Sequence, residues 1–99
     1  MLDLKKTVEN DAAEIRMEGR LDTTTAPQLE AAIQEIQPSV TRLVLDLSEL
    51  EYISSAGLRV LLSAQKASMG KGELILRNVK QAVMEVFDVT GFSEILTIE

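Results

Sequence analysis

The chain contains no cysteine, no histidine and no tryptophan, and its only aromatic residues are one tyrosine and two phenylalanines. Without cysteine there is no disulfide framework and no thiolate nucleophile. With histidine missing as well, the usual zinc ligand sets cannot be assembled. A reducing compartment suits such a composition, and the chain is read as cytoplasmic. Serine chemistry of the common triad type is excluded for want of a histidine base. The serine pair Ser54-Ser55 also lacks the preceding glycine that a nucleophile elbow requires. Gly70-Lys71-Gly72 is too short for a phosphate-binding loop and is followed by Glu73 instead of Ser or Thr, so it reads as a helix stop and turn. The chain is therefore read as a non-enzyme, with no catalytic residue, cofactor or metal assigned.

Long apolar runs and positive charge are also scarce. Met1 to Lys6 has no core of signal-peptide length, and no later run reaches membrane-spanning length, so direct membrane insertion is not expected. Ten Lys and Arg stand against sixteen Asp and Glu, for a net charge of −6. The basic residues are scattered, which disfavours nucleic acid as the partner and favours a basic protein surface. Asp22, Asp46, Glu49 and Glu51 are the carboxylates that a general acid/base pair or Mg²⁺ would need; solvated loop charges or caps are the simpler reading.

What is present is a well-patterned core, with 45% hydrophobic residues in 99, enough for one domain over residues 1–99 and too short for two. Leu2-Asp3-Leu4-Lys5 and Ala13 to Glu18 alternate apolar and charged residues. They predict two strands with one wet face, joined at Glu9-Asn10-Asp11 as an antiparallel hairpin that Gly19 ends. Leu21 to Thr25 is a polar approach to a first helix. Thr25 and Gln28 there have capping-box spacing, Pro27 falls in the first turn, and Leu29, Ala32, Ile33 and Ile36 form a stripe; Pro38 stops it. Arg42 to Leu47 reads as a strand covered on both faces, followed by a link over Ser48 to Tyr52. A second helix runs to about Met69, with Leu58, Leu61, Leu62 and Met69 at helical spacing. Glu73 to Arg77 is a further strand. Asn78 opens a third helix, with Val79, Ala82, Val83, Val86 and Phe87 on its apolar face. Phe92 to Ile98 is a tail, either a last helical turn and strand or an edge piece. The order strand, strand, helix, strand, helix, strand, helix, tail predicts an α/β domain with a mixed, mainly parallel sheet packed against helices.

The stretch Ile53-Ser54-Ser55-Ala56-Gly57-Leu58 turns a buried strand into a helix and displays two hydroxyls at the corner. A serine there can cap the helix. The same place also welcomes an anion, because free N–H groups and the helix dipole point at it. Function gathers at the carboxyl ends of parallel strands, so the loop Leu21 to Thr25 is expected near this corner. Gly57 suits close packing of helix on strand. Arg59 just past the corner reads as solvated, Met17, Met69 and Met84 as core fillers, and Tyr52 as either stacked beneath the corner or exposed.

Gly19-Arg20-Leu21-Asp22, Leu45-Asp46-Leu47-Ser48, the serine corner and Ala82 to Phe92, taken in that order, resemble the STAS domain family, and within it the bacterial anti-sigma factor antagonists. The resemblance runs from about Leu4 to Ile98. It implies a phosphorylation switch. An anti-sigma factor, itself a serine/threonine kinase of the histidine-kinase-like ATPase fold, binds the unmodified antagonist and releases it once a corner serine is phosphorylated; a serine phosphatase resets it. The family pattern is Asp-Ser-Ser/Thr/Ala-Gly-Leu. Matched through Gly57 and Leu58, it assigns the acceptor to Ser55 and puts Ser54 in the aspartate's place, with Ser54 as the second candidate. The implied partner surface comprises Asp22, Thr23, Thr24, Ser54, Ser55, Ala56, Gly57 and Arg59. An alternative within the same family is an unphosphorylated subunit of a lipid-transport ATPase complex, where the corner is structural and the partner permanent.

Overall fold

The computed structural model describes all 99 residues. Strands β1 (Leu2–Glu9) and β2 (Ala12–Leu21) form the hairpin, with Asn10 at φ 58° in its two-residue turn. Then follow α1 (Ala26–Ile36), β3 (Arg42–Ile53), α2 (Ser55–Ser68), β4 (Glu73–Arg77), α3 (Gln81–Thr90) and β5 (Thr97–Ile98). The sheet order is β1-β2-β3-β4-β5, antiparallel only between β1 and β2. Every later crossover moves one place in the same direction, and the right-handed rule then sets all three helices on one face.

Register fixes which side chains meet those helices. Ile15, Leu45 and Leu76 lie side by side, as do Ala13, Leu43 and Leu74. They join Leu29 and Ile33 of α1, Leu58 and Leu61 of α2, and Val83 and Phe87 of α3 in one cluster of 24 buried residues. The opposite face carries the alternate positions, among them the row Glu14, Val44, Ile75, Thr97. Val44 and Ile75 are buried yet lie outside the cluster. β3 is thus buried on both faces as expected, but helices cover only one of them. The near-continuous apolar run arises because two residues of the helix-free face sit in the middle of the sheet, flanked by neighbouring strands.

Several boundaries also differ from expectation. Gly19 does not end β2. With φ +117° and no room for a Cβ beside the Met1 carbonyl, it lets β1 and β2 approach closely while the strand runs on to Leu21. Ser48 to Tyr52 are part of β3, because register shifts after Arg16 and after Gly19 absorb the irregular polar pattern. Asn78 sits at φ 58° in a turn, and α3 begins only at Gln81. Met69 is past the end of α2 and 68% exposed, so it fills no core. The tail takes the first of its two alternatives, a 3-10 turn over Phe92–Glu94 followed by the short β5.

Candidate functional site

The carboxyl ends of β2, β3 and β4 and the amino ends of α1, α2 and α3 share one end of the molecule, as parallel crossovers require. Leu21 lies opposite Ile53, and the Ser54 N–H donates to the Leu21 carbonyl at 2.9 Å. The loop Asp22 to Thr25 and the corner Ser54 to Gly57 therefore adjoin. Arg59 is exposed one turn farther along α2.

The corner is built by packing and backbone bonds. Ser54 is extended (φ −102°, ψ 176°), Ser55 is the first helical residue, and the Leu58 N–H makes the opening bond to the Ser54 carbonyl at 3.0 Å. The amides of Ser55, Ala56 and Gly57 precede that bond and have no intrahelical acceptor. Ser54 holds the capping position but makes no side-chain cap bond. Its Oγ is buried without a partner. Ser55 is exposed, and Ala56 is half-buried. Of the two hydroxyls at the corner, the one on Ser55 is open to a visitor and the one on Ser54 is sealed.

The neighbouring loop is held by Asp22. Its Oδ1 accepts from the Thr24 N–H at 3.0 Å, the Thr24 hydroxyl at 2.8 Å and the Thr25 N–H at 3.1 Å. The Thr24 hydroxyl foremost, with the Thr25 bonds, outweighs partial desolvation and holds this carboxyl below its ordinary range. The expected capping box does not form. The buried Thr25 Oγ1 donates to the Arg20 carbonyl and accepts from the Asp22 N–H, both at 2.8 Å, while Gln28 Nε2 reaches the Leu2 carbonyl at 2.9 Å. Thr23 and Thr24 are exposed beside the corner.

Topology adds residues that sequence reasoning did not single out. Lys80, at the start of α3, donates through Nζ to Glu51 Oε1 at 2.8 Å, which ties the β4–α3 loop to the end of β3. That hydrogen bond raises the Lys80 pKa above its ordinary value. Arg20 stacks its guanidinium 4.3 Å from the Tyr52 ring centroid, so Tyr52 is exposed beside a cation and does not lie beneath the corner. The signal that finds Lys80 is the rule that all strand-to-helix loops of a parallel sheet collect at one end.

The four carboxylates considered for acid/base or metal chemistry disperse to separate partners. Asp22 holds its threonines, Asp46 Oδ1 accepts from the Ser48 N–H at 2.9 Å, Glu49 faces Arg16 at 3.5 Å, and Glu51 holds Lys80. Burial works to raise the Asp46 pKa, but bonds from Ser48 and Asn78 and the Arg16 charge bring it below its ordinary value. No three such groups gather to hold a metal ion. A cleft of about 510 Å³ lies at the far end of the sheet among Gln37, Thr41, Lys71 and Glu73 and does not reach the serine corner. No helix is long and apolar enough to cross a membrane.

Comparison with known proteins agrees with this geometry. Residues 5–97 match the family model described as Mlab, STAS domain. BtrV of Bordetella bronchiseptica, named as a candidate anti-sigma factor antagonist, is 43% identical over 84 residues, covering 83% of this chain and 72% of the relative. The anti-sigma-B factor antagonist of Listeria monocytogenes is 30% identical over 97 residues, covering 95% and 84%. Among solved structures, the phosphorylated form of the Bacillus cell fate determinant SpoIIAA superposes with a TM-score of 0.74 at 24% identity, covering 100% of this chain and 91% of that one. The fold, the order of the sequence blocks and the match across nearly the whole length place this chain in the STAS domain family.

Proposed function

We propose that this protein is an anti-sigma factor antagonist whose grip on its partner is switched by phosphorylation of Ser55. The observation that carries the reading is the contrast at the corner: Ser55 stands exposed at the start of α2, while the Ser54 hydroxyl is sealed. Both sequence relatives given above carry the name of anti-sigma factor antagonist, BtrV as a candidate. The partner is an anti-sigma factor that is also a serine/threonine kinase of the histidine-kinase-like ATPase fold, and both act in the cytoplasm. It docks on Asp22, Thr23 and Thr24 of one loop and on Ser55, Ala56 and Arg59 of the other, while Ser54 and Gly57 shape the corner from within. Bound there, it is kept from its sigma factor.

The kinase passes the terminal phosphoryl group of ATP to Ser55 Oγ; ADP leaves, and the hydroxyl proton goes to a base of the kinase. The phosphoserine brings about −1.5 to −2 charges. Within the domain this is tolerated, since an anion at a helix start is worth roughly 0.3–1 kcal/mol. Against a partner surface shaped for a small hydroxyl, bulk and unpaired charge cost several times more, and each ~1.4 kcal/mol is tenfold in affinity. Release follows without refolding. A serine phosphatase restores the hydroxyl by water attack on phosphorus, releasing inorganic phosphate.

The test is incubation with ATP and the cognate anti-sigma factor, followed by intact mass measurement and peptide mapping. One phosphoryl group on Ser55 is expected, with none on Ser55→Ala. Ser55→Asp is expected to bind the anti-sigma factor at least tenfold more weakly. Phosphate arriving elsewhere, or undiminished binding by Ser55→Asp, overturns the reading.

A further inference from the structure

Helix α2 stands apart in its charge. The chain carries a net −6, yet the fourteen residues from Ser55 to Ser68 include no Asp or Glu, and their only charges are Arg59 and Lys66. Helices α1 and α3 both carry acids, Glu30 and Glu35 in the first and Glu85 and Asp88 in the second. Arg59 is exposed and takes part in none of the ion pairs of the molecule, which engage Arg16, Arg77 and Lys80. It is thus a cation without an intramolecular acid. It lies four residues after Ser55 on the same helix.

Positions i and i+4 of a helix are surface neighbours, and an anion on the N-terminal side of a cation is the favourable order. Helical side chains lean toward the amino end, the direction from Arg59 to the turn that carries Ser55. Arginine offers a planar fork that matches two phosphate oxygens, which a lysine point charge does not. Resting on the reading that Ser55 is the phosphate acceptor, we propose that Arg59 is a positioning residue that captures the phosphoserine, holding the modified corner in one pose.

The capture changes what phosphorylation does at the partner surface. The phosphate adds bulk and at the same time withdraws Arg59 from any carboxylate of the partner. One covalent event thereby removes two contacts. Nothing in the backbone has to move, because both side chains are exposed on one rigid helix.

The experiment uses the full chain with phosphoserine incorporated at position 55 during translation, so that it does not depend on the kinase. The phosphorus resonance is titrated by NMR in the otherwise native chain, in Arg59→Gln and in Arg59→Lys. The second phosphate ionisation, ordinarily near about pH 6, is expected roughly 0.2–0.4 lower with Arg59 than with glutamine, the size of an i,i+4 helix pair. Lysine is expected to restore part of the difference. Identical titrations of the native and Arg59→Gln chains overturn the capture. A kinase reaction that leaves Ser55 unmodified overturns the acceptor reading instead, and the titration on the translated phosphoserine distinguishes the two failures.

Discussion

Gly57 packs so closely against Leu21 that a Cβ added to it would stand 2.7 Å from Leu21 Cγ and 2.9 Å from Ile53 Cγ1. Both neighbours are core residues at the ends of paired strands, so neither has room to withdraw. The contact sets the height at which α2 leaves the sheet, and with it the presentation of Ser55.

Gly57→Ala is accordingly expected to destabilise. Alanine gains up to about 1 kcal/mol of helix preference, but overpacking a filled core costs about 1–3 kcal/mol. A net loss is expected in urea unfolding, together with weaker binding to the anti-sigma factor as the corner is pushed outward. A variant as stable as the native chain would show that the corner yields freely.

Ser54→Ala is expected to leave stability unchanged or to raise it by up to about 1 kcal/mol. Loss of a capping serine ordinarily costs about 0.5–2 kcal/mol. Here no cap bond is made and the hydroxyl is buried unpaired, a state that itself carries a penalty. Chemical denaturation of the single variant decides the matter, and a drop of more than 1 kcal/mol, on the order of a normal cap, would show that the bond forms in solution.

Acid is expected to weaken the fold partly through Asp22 and Asp46. Both carboxyls are held below the ordinary carboxylate value of 3.8. A depressed folded-state pKa contributes stability that is present above the unfolded value and is lost as pH falls through the folded one. Urea midpoints should therefore decline below about pH 4, and Asp22→Asn and Asp46→Asn should each flatten that decline. An unaltered acid limb in both variants would remove these groups from the account.

Phe87→Ala is expected to cost about 3–5 kcal/mol, the usual range for deleting a fully buried ring, since Phe87 has no exposed surface and anchors α3 in the common core. In a domain of this size, calorimetry should show a fall in Tm of roughly ten degrees or more. A shift of only a degree or two would mean that α3 contributes little.

Much of this was legible in the residues, because apolar spacing reports burial directly. The stripe Leu29, Ala32, Ile33, Ile36 is buried as its spacing requires, and β4 spans Glu73–Arg77 as read. The order of elements only suggested that the Asp22 loop comes near the serine corner; the pairing of β2 with β3 makes them adjoin. What was not legible depended on particular contacts. The capping box failed because Thr25 turns to the Arg20 carbonyl and Gln28 to β1. The link Ser48 to Tyr52 looked like a loop because a bulged strand breaks the two-residue alternation. The sealing of Ser54 could not be foreseen, since it depends on how the corner packs in three dimensions.

The five strands stand in the sheet in the order in which they occur along the chain. No strand is wedged between two that precede it, so assembly can proceed by accretion at one margin as the polypeptide is made. The last increment is the two-residue β5, which can peel away while every other pairing stays shut. The serine corner sits two strands inward from that margin, where such fraying does not reach it.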